Sequence, residues 1–290
     1  MKRIYILLLL VINTICLNAQ SLYVGLQGGA QYNRLLNKED ARAKANMDIL
    51  PTYSPVGGLL IGYRFSNQSG IRSIQTGVFF QQVRQKYKGQ FELSNPPRFT
   101  ADVQLNYLHI PLDFTIPLYN MSSRVTPFLS FGGFVNHLIH YKDYLEGYNL
   151  YTGAMYFRKT LTGNRYTRVG FADVDMTTDQ WLYNRWLFGV SAGLGGEVKL
   201  SDALALVFHA KGNYSLNDPE NKNKVKYYQG GVFSEEAVMY DLFTAKYFTY
   251  LPGVKSGVHR PPTKVLNVGL QVGILYHFSN NVTDGMGYFN

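Results

Sequence analysis

The chain has 290 residues, of which 46% are hydrophobic, 15% aromatic and only 16% charged. A charged share so far below the ~25% of ordinary soluble domains, together with 28 Gly and 23 Tyr, excludes a disordered polymer. One Cys excludes a disulfide framework or a Cys-built metal cluster, and the net charge of +9 is scattered among acids rather than gathered into a nucleic-acid footprint.

In chain order, the first element is an export signal over residues 1–20. Lys2 and Arg3 form a positive start, an apolar run begins at Ile4, and Leu17-Asn18-Ala19 offers a small residue at the cut, leaving Gln20 or Ser21 at the mature start. The run is interrupted by Asn13 and is too short to serve as an anchor helix. Bulky Ile15 before Cys16 argues against a lipoprotein, and removal of the signal leaves a thiol-free exported chain. After it, no stretch approaches the ~18–20 apolar residues of a membrane-spanning helix.

The rest of the chain, 21–290, reads as one domain whose hydrophobic pattern has period two, the signature of strands with unlike faces. The first segment sets Leu22, Val24, Leu26 and Ala30 against Tyr23, Gln27, Gln31 and Asn33. The second sets Leu59, Ile61, Tyr63 and Phe65 against Gly58, Gly62 and Arg64, and the third Ile74, Thr76, Val78 and Phe80 against Ser73, Gln75, Gly77 and Gln81. In the fourth, Leu108, Ile110, Leu112, Phe114 and Ile116 oppose Tyr107, His109, Asp113 and Thr115. The fifth, about 125–141, alternates less cleanly. The sixth is the cleanest, with Phe188, Val190, Ala192, Leu194 and Val198 outside and Ser191, Gly193, Gly195, Glu197 and Lys199 inside. The seventh sets Leu204, Leu206, Phe208 and Ala210 against His209, Lys211 and Asn213, and the eighth Leu266 through Phe278 against Asn267, Gln271 and His277.

A soluble sandwich could alternate too, so the connections decide. Those near 66–70, 119–124 and 201–202 are short, and those near 34–53, 85–101, 142–185 and 216–263 are long. Such alternation of tight and extended links, joining strands of at least the ~9–11 residues that cross a bilayer, is that of an up-and-down outer-membrane barrel. Because lipid offers no partner to a bare backbone group, a sheet in a bilayer must close. The expectation is an all-β, eight-stranded antiparallel transmembrane barrel with its termini on the periplasmic side, long extracellular loops and a short tail over 279–290. Residues 156–159 and 165–168 around Thr162-Gly163-Asn164 read as a hairpin. Arg158, Lys159, Arg165 and Arg168 would each cost ~2–4 kcal/mol at mid-membrane, so the hairpin is expected to extend the wall above the lipid rather than add spanning strands.

The stretch Tyr107-Leu108-His109-Ile110-Pro111-Leu112-Asp113-Phe114 resembles the Y-L-x-I-P-L strand of the Bacteroidota outer-membrane β-barrel family, the PorT-like group. The Gly-rich run from Phe188 to Glu197, the start Val24-Gly25-Leu26-Gln27-Gly28-Gly29 and the strand from Val268 to Phe278 are similar as well. The resemblance implies the fold and the outer membrane, and it implies a role in type IX protein secretion as an alternative. This chain departs from the family pattern in its long outer loops and in the residues after Phe278, which bear on what the barrel-insertion machinery recognises.

An eight-stranded lumen is just wide enough for side chains to fill it. Arg64, His109, Asp113, Glu197, Lys199, His209 and Lys211, with several amides, are expected to form a hydrogen-bonded interior in which Arg64 and the lysines neutralise Asp113 and Glu197, because buried charges need partners. His109 and Asp113 share a face, but four residues separate them by about 13 Å, too far to touch. His137 and His140 resemble a metal pair, yet an odd offset sends them to opposite faces of a strand. His277-Phe278-Ser279-Asn280 is similar to a stretch of outer-membrane lipid A deacylases but is expected at the periplasmic end, away from lipid A. No catalytic residue, cofactor or metal is expected, and a lipid hydrolase or small pore ranks below a non-enzymatic module. The loops are rich in aromatics, and Tyr148, Tyr151, Trp181, Tyr227 and Tyr228 are the candidate contacts for protein or surface glycan, since Tyr offers large contact area at low entropic cost. The expected partners are outer-membrane lipid and lipopolysaccharide, whose phosphate the strip Lys222, Lys224 and Lys226 could meet, the barrel-insertion machinery, and secretion-system proteins or surface glycan, with no nucleic acid.

Overall fold

The computed structural model describes residues 21–37, 47–65, 71–90, 98–118, 124–148, 156–162, 165–169, 174–177, 183–221 and 262–279. These form twelve strands: β1 (Ser21–Leu36), β2 (Met47–Leu50), β3 (Thr52–Arg64), β4 (Ser73–Gln90), β5 (Arg98–Pro117), β6 (Val125–Tyr148), β7 (Tyr156–Thr162), β8 (Arg165–Val169), β9 (Val174–Thr177), β10 (Trp186–Lys199), β11 (Leu204–Ser215) and β12 (Lys264–Ser279). Eight of them, β1, β3, β4, β5, β6, β10, β11 and β12, pair antiparallel in a ring. The first and last strands pair along their whole length, Ser21 opposite Ser279 and Leu36 opposite Lys264, and β10 lies between β6 and β11. The ring therefore has no free edge, and every one of its eight strands matches one of the alternating segments of the sequence.

Alternation decides which side chains look outward. Along β12, Val268, Leu270, Val272, Ile274, Tyr276 and Phe278 are exposed while Asn267, Gln271, Leu275 and His277 are buried. Leu26, Leu59, Ile61, Val78, Phe80, Leu112, Phe131, Phe188, Val190, Leu194 and Phe208 continue the apolar outer belt around the ring. In water so wide an apolar wall would be an aggregation surface; in hydrocarbon it is the matching solvent. Tyr53, Trp186 and Tyr214 stand exposed at one margin of the belt, and Phe65, Tyr276 and Phe278 at the other, the placement of interfacial aromatics. No described segment is a helix long and apolar enough to cross a membrane.

Three features depart from the sequence reading. The strands run well into the stretches read as loops: β4, β5 and β6 have 18, 20 and 24 residues, against the ~9–11 needed to cross hydrocarbon. One side of the barrel thus rises above the belt as a sheet, and the connections at that end shrink to 91–97 between β4 and β5 and 37–46 between β1 and β2. Their polar outward residues (Arg84, Lys86 and Lys88 on β4) conceal continuing strands.

The second departure is in β6. Asn106 pairs with His140 and Tyr107 with Leu138, so Ile139 is an extra residue, a β-bulge. Before it Phe128, Ser130, Phe134, Asn136 and Leu138 are buried, and after it Tyr141 and Asp143 are buried, which flips the parity of the strand. This corrects the reading of His137 and His140: the bulge puts both on the outer face, where His137 packs on Trp186 with ring centroids 4.4 Å apart. The bulge also explains why this segment alternates poorly in sequence.

Third, the expected hairpin is present as β7 and β8, with β9 added beyond it. Its strand β7 pairs with Lys142–Tyr148 of β6, whereas β10 occupies the same edge of β6 over Val125–His137. The hairpin therefore sits above β10 and heightens the wall without joining the ring. Between β4 and β5 the ladder skips Gly77 and Val78 opposite Ile110 and Pro111, because Pro111 has no N–H to give. The Thr76 hydroxyl donates instead to the Pro111 carbonyl at 2.7 Å.

Candidate functional site

The inward side chains fill the lumen in three layers. At the end where the short turns lie, Glu197 on β10 accepts two hydrogen bonds from Arg64 Nη2 on β3, at 2.8 and 2.9 Å. Arg72, just before β4, places its Nη2 3.4 Å from the same carboxylate, and His277 Nε2 on β12 stands 3.6 Å from it. Tyr23 on β1 lies beneath Arg64, whose guanidinium carbon is 6.0 Å from the ring centroid, and its hydroxyl reaches Ser73 and Gln75. The ring of Tyr23 occupies space that only glycine leaves open: a Cβ on Gly62 would lie 2.1 Å from it. Gly195 plays the same part for Phe128, 2.3 Å from where its Cβ would be.

In the middle layer Asp113 on β5 is held from two strands. Lys211 Nζ on β11 pairs with Oδ2, and Ser191 Oγ on β10 donates to Oδ1 at 2.7 Å. His209 and Ser130 share a hydrogen bond of 2.7 Å, and His109 Nδ1 meets Asn136 Oδ1 at 2.6 Å. A row of amides follows: Gln81 donates to Gln31, Gln31 to Asn33 and Asn33 to Ser54. Gln75, His109, Asp113, His209 and Lys211 line a cavity of about 20 Å³, room for a water molecule and no more.

The upper layer is apolar. Val83, Tyr87, Val103, Leu105, Tyr107, Leu138, Tyr141 and Leu187 are buried across the inner face of the raised sheet. Above them a latch closes the mouth. Tyr183 pairs with Glu220 as an isolated bridge, and its hydroxyl donates to Asp143 at 3.2 Å. Asn184 donates to the carbonyls of Asp218 and Glu220, Thr263 donates to Glu220, and Asn37 donates to Thr263. Burial, with the carboxylates of Asp143 and Glu220 beside it, raises the Tyr183 phenol well above its ordinary pKa, so it remains a donor.

Of the residues singled out in the sequence, Arg64 and Glu197 meet each other, and Asp113 and Lys211 do so a layer higher. His109 and His209 share their cavity but bond to Asn136 and Ser130. Lys199 is corrected: it has the inward parity of Glu197 but stands at the last position of β10, where the lumen ends, and is exposed. Arg72 was missed because it precedes its alternating segment. Tyr87 on β4 and Asp143 on β6 were missed because they fell in stretches read as loops. Among the described residues no three His, Cys, Asp or Glu side chains gather as a metal group. Tyr148 ends β6; Tyr151, Trp181, Tyr227, Tyr228, the strip at Lys222, Lys224 and Lys226, and the expected signal lie outside the described residues.

The family model described as "Outer membrane protein beta-barrel domain" matches residues 18–219. Among solved structures, the chain is similar to Neisserial surface protein A at 10% identity, covering 88% of this chain and 97% of that one with a TM-score of 0.34. It is also similar to Ail, the attachment invasion locus protein of Yersinia pestis, in complex with the heparin analogue sucrose octasulfate, at 10% identity, 88% and 99% coverage and a TM-score of 0.31. The translocator domain of the autotransporter NalP from Neisseria meningitidis follows at 10% identity, 92% of each chain and a TM-score of 0.21. No curated protein matches. The chain belongs to the outer membrane protein β-barrel domain family.

Proposed function

We propose that this member of the outer-membrane barrel family is a non-conducting, non-enzymatic module that resides in the outer membrane and binds through the raised wall and long connections at one end. The observation that carries this reading is the filled lumen: an ion-paired base, a hydrogen-bonded middle whose cavity has a volume of about 20 Å³, and an apolar upper layer under a latch. Passage of solute through the middle would require unpairing Asp113 from Lys211, a desolvation of several kcal/mol. Contact with the outside then falls to the wall built by β2, the upper parts of β4–β6 and β7–β9, and to the connections it supports. The tail stretch resembling a hydrolase motif argues for structure, since His277 is buried in the lumen against Glu197.

The test is crosslinking in the living cell followed by identification of partners, with a variant in which residues 222–261 are replaced by a short Gly/Ser linker. Shared heat-modifiable migration on gels shows that both fold. The reading expects surface-exposed glycan or protein adducts that vanish in the variant; an adduct pattern unchanged by the replacement would sink it. Sequence likeness to the PorT-like group through Tyr107–Phe114 supports a second reading, a docking component of type IX secretion. Secretion components among the adducts, retained in the loop variant, would favour that one.

A further inference from the structure

The outer wall changes character in steps as it leaves the lipid on the side of the long connections. Phe80, Leu108, His137 and Trp186 stand side by side across β4, β5, β6 and β10 and mark the top of the apolar belt. The next outward row on the first three of these strands is Gln82, Asn106 and His140, and the row after it is Arg84, Gln104 and Lys142. Each step is about 6.6 Å of strand, or about 5 Å of height at the usual tilt. The polar headgroup layer beside the hydrocarbon is about 5–8 Å deep, so the amide row lies within it and the charged row at its far edge. The amides are fixed by one another: Gln82 Nε2 and Gln104 Nε2 both donate to Oδ1 of Asn106, at 3.0 and 3.4 Å. The two Gln side-chain carbonyls and the Asn106 amide N–H groups are then left without a partner among the described residues.

The cations of this face divide into two kinds. Arg84 is engaged by Asp102, its Nε 2.9 Å from Oδ1. The ammonium groups of Lys142, and of Lys86 one row further out on β4, have no ion pair or hydrogen bond among the described residues. Glu146, the other acid on the outer face of these three strands, takes the Tyr144 hydroxyl two rows beyond Lys142. Three cations therefore stand against one acid where the wall leaves the belt. We propose that this face of β4–β6 is a binding site for a phosphorylated amino-sugar lipid of the outer leaflet. Its acyl chains lie on Phe80 and Leu108, its sugar meets the fixed amides, and its phosphate meets Lys142 and Lys86, whose flexible stems let the charged heads bend back toward the membrane. Going outward, apolar surface, amides and free cations follow the order of acyl chain, sugar and phosphate in such a lipid. The site rests on the outer-membrane residence proposed above and not on what the long connections bind.

The experiment is native mass spectrometry of the full chain in detergent, titrated with bisphosphorylated lipid A, with its dephosphorylated form and with phosphatidylglycerol. The site predicts saturable binding of lipid A that is about thirtyfold weaker in Lys86→Ala/Lys142→Ala, the factor for two lysines at an anionic lipid surface. Dephosphorylated lipid A should bind weakly and be indifferent to that change, and phosphatidylglycerol should bind more weakly than lipid A because it brings no sugar to the amides. Arg34→Ala/Lys264→Ala removes the same charge across the ring, from β1 and β12, and should leave lipid A binding as it is. All four side chains stand on the outer face, and heat-modifiable migration shows that each variant folds. Lipid phosphorus carried out of the membrane with each purified variant is the second readout, and should fall only in the lysine pair. Equal losses from the two pairs, undiminished binding in the lysine pair, or phosphatidylglycerol binding as tightly as lipid A would each overturn the site. Replacing 222–261 should leave lipid binding unchanged, so failure of this site and failure of the loop partners are read separately.

Discussion

Lys211 and Asp113 are two charges in a space with room for one water, and they make sense only as a pair. Removing one partner strands the other: Asp113→Asn leaves a buried ammonium and is expected to cost about 3–5 kcal/mol of unfolding free energy. The double change to Asp113→Leu and Lys211→Met removes the charges together and is expected to recover most of that. Urea unfolding of vesicle-inserted chains measures both, and a single variant within about 1 kcal/mol of wild type would show the pair to be dispensable. Gly62 tests packing in the same layer as Tyr23: Gly62→Ala forces its Cβ into the ring and is expected to destabilise by about 1–3 kcal/mol, unless paired with Tyr23→Leu. At the other end, Tyr183 has a phenol pKa raised in the folded state, so its contribution holds below the ordinary tyrosine pKa of about 10 and is lost as pH climbs beyond it. The latch is therefore expected to be indifferent to pH from neutrality to about 9 and to loosen in alkali, an effect that Tyr183→Phe should blunt and tyrosinate absorbance can follow. At this scale the sequence told much about the ring strands, because a polar residue at an inward parity has nowhere to go but the lumen. It told nothing of Arg72, which sits in a turn where parity does not apply, and it misplaced Lys199, where parity is kept but the lumen has ended.

Among elements, β6 shows best what periodicity can and cannot reveal. Both halves of this strand alternate, but the extra Ile139 puts them out of phase, and a single-period reading sees one blurred segment and sends His137 and His140 apart. The bulge aims Tyr141 and Asp143 inward, under the latch, and Asp143 is what the Tyr183 hydroxyl meets. Deleting Ile139 should return the strand to one phase and turn those two side chains outward. Amide exchange over 141–148 and at Tyr183 is expected to quicken by roughly tenfold, the factor for the loss of about one net hydrogen bond, with Thr126–Asn136 unchanged. Unchanged protection at the upper end would mean that the bulge does not position the cap. The tall strands β4 and β5 were legible as strands only where they face lipid. Above the belt their outward residues turn polar, so Val83, Gln85 and Tyr87 inside and Arg84, Lys86 and Lys88 outside alternate as faithfully as before but look like a loop to a search for apolar faces. The arginine of that set is not idle, since Arg84 is paired with Asp102 across the β4–β5 seam.

The molecule as a whole is a cylinder whose two walls obey different solvents. The closed ring satisfies the backbone, which is what lipid demands, and the alternation then assigns every second residue to hydrocarbon and its neighbours to the interior. Closure and strand number were legible because the alternation of short and long links permits few other topologies; the filling of the upper lumen was not, because it depends on strand lengths that composition conceals. A filled lumen predicts that the purified chain gives no steady conductance steps in planar bilayers, and a stable open level would contradict the packing described here. The most direct test of the account is a nitroxide scan of β12 from Leu266 to Phe278 in lipid vesicles, using single cysteines in a chain with Cys16 replaced by Ser and reading collision with oxygen, which dissolves in lipid, and with an aqueous nickel chelate. Even-numbered positions, Val268 through Phe278, should collide with oxygen and not with nickel, and odd-numbered ones, Asn267 through His277, should meet neither. Nickel collisions at the odd positions would contradict the filled lumen, and a scan without period two would contradict the barrel itself.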